Sequence, residues 1–430
     1  LAATIARETH FSDENGTPSR LQVSFSYSDG FGREIQKKIQ AEPGRLDPQD
    51  NSSAELNPRW VGSGWTVFNN KGKPVRQYEP FFSATHGFEF GVIRGVSPVL
   101  FYDPADRVVA TLHPNHTWEK VVFDPWQQTS WDVNDTVARF DLASRTASVR
   151  DPTADPHVGG FFQKLPSESH GPCWYDLRTD PAKALVQWPD VDAQGNPLAG
   201  NANRRASEKT AAERASAHAN TPTTAHFDVL GRPFLTVAHN RVVCKDHALD
   251  GKPDEEVCTR VELDIEGNQR SVRDAITHTE ARDASGNPVV VDDPLGRIVM
   301  RYAYDMLGNR IHQLSMEAGA RWMLNDVAGK PIRAWDSRGH HFTTTYDALR
   351  RPVEQTVRGT TASGEAASDP RTLNRDILVD KIEYGEGLAN AEALNLRTRI
   401  YRHFDSAGVA TNARLDEGGI PVEACDFKGN

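Results

Sequence analysis

Residues 304–352 read YDMLGNRIHQLSMEAGARWMLNDVAGKPIRAWDSRGHHFTTTYDALRRP. One short string recurs inside them: an aromatic or aliphatic residue, then Asp-x-x-Gly, then Arg, Asn or Lys, then alternating apolar residues. The slots for the Asp fall at Asp293, Asp305, Met316, Asp326, Asp336 and Asp347, separated by 12, 11, 10, 10 and 11 residues. Met316 keeps its slot because Gly319 still lies three residues later. A step of that size holds one strand of about six residues and one tight turn. Helical repeats have periods of about 34 or more, so the spacing predicts a β-meander.

The same string extends in both directions. It appears as YSDGFGREI (27–35), FDVLGRPFL (227–235), LDIEGNQ (263–269), NDVAGKPI (325–332), WDSRGHHF (335–342), FDSAGVA (404–410) and DFKGN (426–430). Of the 35 Asp in the chain, 13 have Gly three residues later, against roughly three for random placement at this composition. Asp at the first position of a type I turn accepts hydrogen bonds from backbone two residues on, and Gly at the fourth takes φ > 0, closing the turn with a bulge. The structural turn residues predicted on this ground are Asp29 with Gly32, Asp228 with Gly231, Asp264 with Gly267, Asp293 with Gly296, Asp305 with Gly308, Asp326 with Gly329, Asp336 with Gly339 and Asp405 with Gly408.

Composition bounds the rest. The 430 residues, with 32 Gly, 26 Pro and 25% charged residues, are too apolar for general disorder and rich in turn formers. A net charge of −10 and a pI near 5.9 argue against a surface built to neutralise phosphates, so no nucleic-acid partner is expected. No apolar run reaches the roughly 18 residues that span a bilayer, and no membrane contact is expected. The first residues, LAATIARETHF, show neither an initiator Met nor a signal-peptide pattern, so the chain is expected to be cut from something longer. Its four Cys form no CxxC pair. Cys244 and Cys258 flank a polar loop between two strand-like runs; whether their sulfurs face each other or apart stays open.

Five segments follow. Residues 1–150 carry degenerate hairpins, and 151–225 an irregular, helical insertion in which SEKTAAERASAHA (207–219) is expected to form a helix with an Ala-only apolar face lying against the sheet. CWYDLRTDPAKAL (173–185) has the pattern of a short helix start. Residues 226–358 hold the regular beat, 359–399 a polar loop and a segment that could end in a helix (LANAEALNLRTR), and 400–430 resume the repeats.

Tandem Tyr-Asp-x-x-Gly-Arg/Asn strings resemble the YD, or Rhs, repeat proteins over nearly the whole chain. SYSDGFGREIQKKIQAEPG (26–44), VVFDPWQQTSWDVNDTV (121–137), AHANTPTTAHFDVLGRPFLTVAHN (217–240) and RVELDIEGNQRSVRDA (260–275) are similar to the B component of bacterial insecticidal Tc toxin complexes. The resemblance implies a mainly β fold: tandem hairpins of YD/Rhs repeats in a long curled sheet, part of a hollow shell, with a small helical insertion. It implies a secreted shell segment, not an enzyme, that encloses a cytotoxic effector together with the C component. Docking to the A component would then be indirect, through propeller blades outside this chain. The outer edges of such a sheet must be covered by neighbouring shell segments, and the isolated chain is expected to be open or aggregation-prone. The family's self-cleaving aspartyl site lies near a DPxGL-like motif. Asp293-Pro294-Leu295-Gly296 is similar, but Arg297 replaces Leu and many repeats follow, so it reads as an ordinary turn.

Rival chemistry is weak. Calcium β-rolls use a nine-residue period with paired Gly, whereas Gly pairs occur here only at 159–160 and 418–419. His340 and His341 point to opposite faces of a strand, and His113 and His116 sit in the turn-like HPNH without a carboxylate in view. No cofactor or metal is expected. Trp60, Trp65, Trp118, Trp126 and Trp131 read as core, with a glycan-stacking surface on an extracellular adhesion or wall-associated protein as the alternative.

Overall fold

The computed structural model describes residues 1–8, 19–47, 49, 52–244, 247–282, 288–359 and 376–425; for 279–282, 288–291 and 359 it describes the backbone alone. The protein is mainly β, with 42% strand and 12% helix. It divides into two compact units, Leu1–Glu8 with Arg20–Cys258, and the described residues of Thr9–Ser19 and Thr259–Asn430.

The first unit holds two successive antiparallel series. Ala2–Arg7, Leu21–Ser28, Glu34–Ala41, Arg59–Gly62 and Phe81–Ser83 pair in that order. Val99–Tyr102, Val108–Leu112, Trp118–Phe123, Gln127–Trp131, Thr223–Phe227 and Pro233–Asn240 pair likewise. Between the fourth and fifth strands of the second series the chain leaves the sheet for residues 132–222, forming a hairpin (Ala138–Asp141 with Thr146–Val149) and six short helical segments, then the helix Asn201–Ser216. That helix starts six residues earlier than the Ala-rich composition suggested. Its buried Ala212 packs on Val137, Ala138 and Tyr175, so its neighbours are the insertion's own hairpin and helix.

The insertion is fixed by two contacts of opposite character. Val158 and Phe162, the N-cap and the last residue of the helix Gly159–Phe162, close the apolar cluster of Val99, Phe101, Ala110, Leu112 and Trp118. Burial of each large side chain there contributes about 1.5–3 kcal/mol. Gly159 is required by crowding, because a Cβ would lie 2.5 Å from the Thr153 carbonyl oxygen. Beside this cluster Lys120 is only 3% exposed and donates to Asp155 Oδ2 at 2.8 Å and Oδ1 at 3.0 Å, under the Trp131 ring. Arg150 Nη2 reaches the same carboxylate at 3.0 Å. Burial pushes the Lys120 ammonium below its ordinary pKa; against the upward push of burial, Lys120 and the N–H groups of His157 and Val158 hold Asp155 below its own. In WEKVVF (118–123) the alternation places Lys120 on the buried face with Trp118, and that mismatch was the available sequence signal.

The second unit is a plainer ladder. Its strands run from Glu255–Leu263, paired through Arg260–Leu263, to Gln269–Arg273, Ile298–Tyr304, Arg310–Ser315, Gly319–Asn325, Pro331–Asp336, His340–Tyr346, Pro352–Gly359, Ile377–Tyr384, Ile400–Asp405 and Gly408–Thr411. Each pairs antiparallel with the next. No residue from Arg297 to Thr356 is fully buried. Residues 388–399, which composition allowed as a helix, run instead as successive turns, interrupted by left-handed Asn395 and Thr398. They bring Leu394 and Leu396 onto Tyr401, a small core of this unit.

Among the described residues no disulfide links Cys244, which is exposed, to Cys258, which is half-buried. Trp60 and Trp118 are core residues and Trp65 and Trp131 are half-buried, whereas Trp126 departs from the core reading at 58% exposure, on a turn. Replacing Asp155 by Asn leaves Lys120 and Arg150 facing each other without a counter-charge. Chemical denaturation should register a loss of about 3–5 kcal/mol in the first unit.

Candidate functional site

The repeated turn is the chemical unit of this chain, and Asp228 displays all its parts. Asp228 N–H donates to Arg232 O at 3.0 Å, and Gly231 N–H donates to Asp228 O at 2.9 Å. The carboxylate Oδ1 accepts Leu230 N–H at 2.9 Å and Arg232 N–H at 3.0 Å. Its Oδ2 accepts Arg232 Nε at 2.7 Å. Gly231 takes φ +73°, and the strand register shifts between His226 and Phe227, which makes the turn a bulged hairpin.

The other predicted turns vary this theme. Asp29 binds Phe31 and Arg33 N–H and the Arg33 guanidinium, with Gly32 at φ +80°. In the Asp264/Gly267 and Asp305/Gly308 turns an Asn replaces the Arg: Asn268 and Asn309 donate to Oδ2 at 3.2 and 3.0 Å. His340 does so for Asp336 at 2.8 Å, beside Gly339 at φ +88°. At Asp326/Gly329 the Lys330 ammonium turns away to Arg350 O, and Arg350 of the Asp347 turn pairs with Asp326. Asp293/Gly296 exchanges partners: Arg273 pairs with Asp293 at 2.5 Å, while Arg297 pairs with Asp274 at 2.6 Å. Asp405 binds Ala407 and Gly408 N–H in a tighter turn, with Gly408 at φ +148°. Asp426 and Gly429 of DFKGN lie outside the described residues.

Two features escaped the sequence reading. The residue four after Asp is a ligand of the carboxylate, which explains why Arg and Asn recur there. The left-handed position also need not be Gly: Asp106, His116 and Arg350 occupy it at φ 64°, 62° and 62°, in the turns begun by Asp103, His113 and Asp347. The Asp-to-Arg spacing of four would have found Asp103–Arg107 without any Gly, as it also marks Asp347–Arg351, whose slot the ten-to-twelve-residue beat already gives.

Electrostatics follows from these contacts. The Arg232 N–H holds the Asp228 carboxyl below the ordinary carboxylate range, as the Arg351 N–H does for Asp347 and the Asn309 side chain for Asp305. Each carboxylate is occupied by its own turn. Of the histidines singled out earlier, His116 completes a turn and meets Pro172 O, His341 stacks on Trp335 at 5.2 Å, and His113 opens the His116 turn with its Nε2 3.9 Å from Glu119, a carboxylate the sequence did not bring into view. Among the described residues no group of three or more His, Cys, Asp or Glu is placed to hold a metal ion, and no helix is long and apolar enough to cross a membrane.

Two measurements test the turn. Nothing lies within 4 Å of a Cβ added at Gly231, so Gly231→Ala isolates backbone strain and should cost about 1–2 kcal/mol in denaturation. The depressed carboxylates contribute stability that is present above their unfolded pKa, about 3.9, and is lost as pH falls through the folded values. Stability should therefore decline below about pH 4, and the acid limb should be shallower in the Asp228→Asn, Asp347→Asn variant.

No protein-family model matches the chain. The toxin subunit YenC1 of Yersinia entomophaga is 23% identical over 126 residues, 29% of this chain and 12% of that protein. The Photorhabdus luminescens Tc holotoxin pore superposes on the full length of the chain with a TM-score of 0.54 at 17% identity, and the TcdB2–TccC3 structure with 0.53 at 17%. The chain spans only 16% and 17% of the lengths of those two structures. It therefore resembles parts of these Tc toxin structures in fold.

Proposed function

We propose that the chain is a wall segment of a secreted, Tc-type insecticidal toxin complex, acting with a C component to enclose a cytotoxic effector. The observation that carries the reading is fold likeness over the whole chain, joined to a ladder in which most of the described hairpins are closed by side chains of their own turn. A wall needs such closure, because every strand must hold register without a dedicated core beneath it. Its role is mechanical: separation of a polypeptide from solvent, with no catalytic step assigned to any residue described above. Contact with an A component falls to other parts of the complex.

The test is reconstitution. The chain is combined with a C component bearing its effector domain, and limited trypsin digestion is followed by mass spectrometry. The effector should be cut slowly in the mixture and rapidly when the C component is alone. Equal digestion in both would reject the wall reading. Exposed Trp126 supports one competitor, glycan adhesion, which saturable glycan-array binding lost on Trp126→Ala would establish instead.

A further inference from the structure

An ammonium group donates and never accepts, so each polar contact of the buried Lys120 side chain ends on a lone pair. Two end on Asp155, and a third on His157 Nδ1 at 3.1 Å. That contact fixes the state of the ring: His157 is neutral, its proton is on Nε2, and Nδ1 accepts. The His157 side chain is 46% exposed, so protons reach it from solvent, whereas the ammonium beside it is only 3% exposed.

The groups facing His157 leave no partner for a protonated ring. Lys120 faces it from the strand Trp118–Phe123, Asp155 from its own loop, and the uncharged Trp131 ring from the neighbouring strand at 6.1 Å. Arg150 closes the far side of Asp155. Asp155 Oδ1 is taken by Lys120 and by the His157 and Val158 N–H groups, and Oδ2 by Lys120 and Arg150. Its nearest oxygen stands 3.9 Å from Nδ1, beyond hydrogen-bond reach. Two cations and one anion already give the cluster an excess of positive charge, and an imidazolium adds to it with an N–H aimed at the ammonium. A protonated ring swings toward solvent instead, and Lys120 loses an acceptor that its burial keeps water from replacing.

We infer that His157 is an acid-released latch on the helical insertion: neutral, it holds the loop at 151–158 on Lys120, and protonated, it lets go and loosens the Val158–Phe162 plug from the apolar cluster of the sheet. The contact contributes stability at higher pH that is lost as pH falls through the imidazole range, about 5–8. Histidines of the second unit are placed the opposite way. His340 and His403 each face a carboxylate at 2.8 Å, Asp336 and Asp380, so protonation strengthens those contacts. The inference does not depend on the wall reading.

Hydrogen exchange of the full chain, read by mass spectrometry at about pH 7.5 and about pH 5.5 with times scaled to intrinsic amide rates, tests it. Protection of the amides from Val158 to Leu165 should fall roughly fivefold at the lower pH, the factor that one hydrogen bond is worth, while that of His340–Tyr346 should not fall. Against the upward push of burial, Lys120 and the backbone N–H groups hold Asp155 below the ordinary carboxylate range, so it stays ionised at both pH values. His157→Gln cannot gain a proton and should lose the response, whether or not its amide reaches Lys120. His170→Gln, which removes the imidazole packed on Phe162, should keep it. Equal protection of the wild type at both pH values overturns the proposal. So does a response that survives His157→Gln, which would belong to His170 or to Asp135, whose carboxyl is pushed up by burial.

Discussion

An aspartate carboxylate that accepts two N–H groups of its own turn, and a side chain four residues on, is the interaction from which the ladder is built. Between Arg297 and Thr356 of the second unit this local closure substitutes for a core. With no fully buried residue between Arg297 and Thr356, the hydrophobic effect fixes register only weakly there, and a one-residue slip would exchange the two faces at little cost. The turn prevents that slip by setting where each hairpin begins. Because most of the described closures are local, contacts are mostly between strands adjacent in sequence, which keeps loop-closure entropy small.

The first unit solves a different problem. It has a helical insertion to hold, and it uses both an apolar plug, Phe162 against Trp118, and the Lys120–Asp155–Arg150 cluster. The plug supplies most of the favourable free energy through area removed from water. The ion cluster is poorer in net stability, since desolvation offsets attraction, but it tolerates only one arrangement of the strand and the loop at 151–158.

The ladder was legible in the sequence because its determinants are local. Asp, Gly and a ten-to-twelve-residue beat are enough to mark turns, and strands follow between them. The ligand four residues after Asp was visible as a recurrent Arg or Asn, yet its role needed side-chain geometry. What failed was non-local. The helix over 388–399 failed because Asn395 and Thr398 adopt left-handed backbone that composition does not announce. Trp126 reads like its buried counterparts Trp60 and Trp118, and only its position at a turn tip separates it from them. The partnership of Lys120 with Asp155 spans 35 residues and leaves no spacing signal.

Successive turns of an antiparallel ladder lie at opposite rims, which constrains how such a chain can change length. Removing or adding two consecutive strands, roughly 21 residues at the observed beat, returns every later turn to the rim it occupied before. A single strand of ten or eleven residues sends every later turn to the opposite rim, putting Asp305-like turns where Asp336-like turns had been. Hairpin number can drift while strand parity cannot, so relatives of this ladder should differ by whole hairpins.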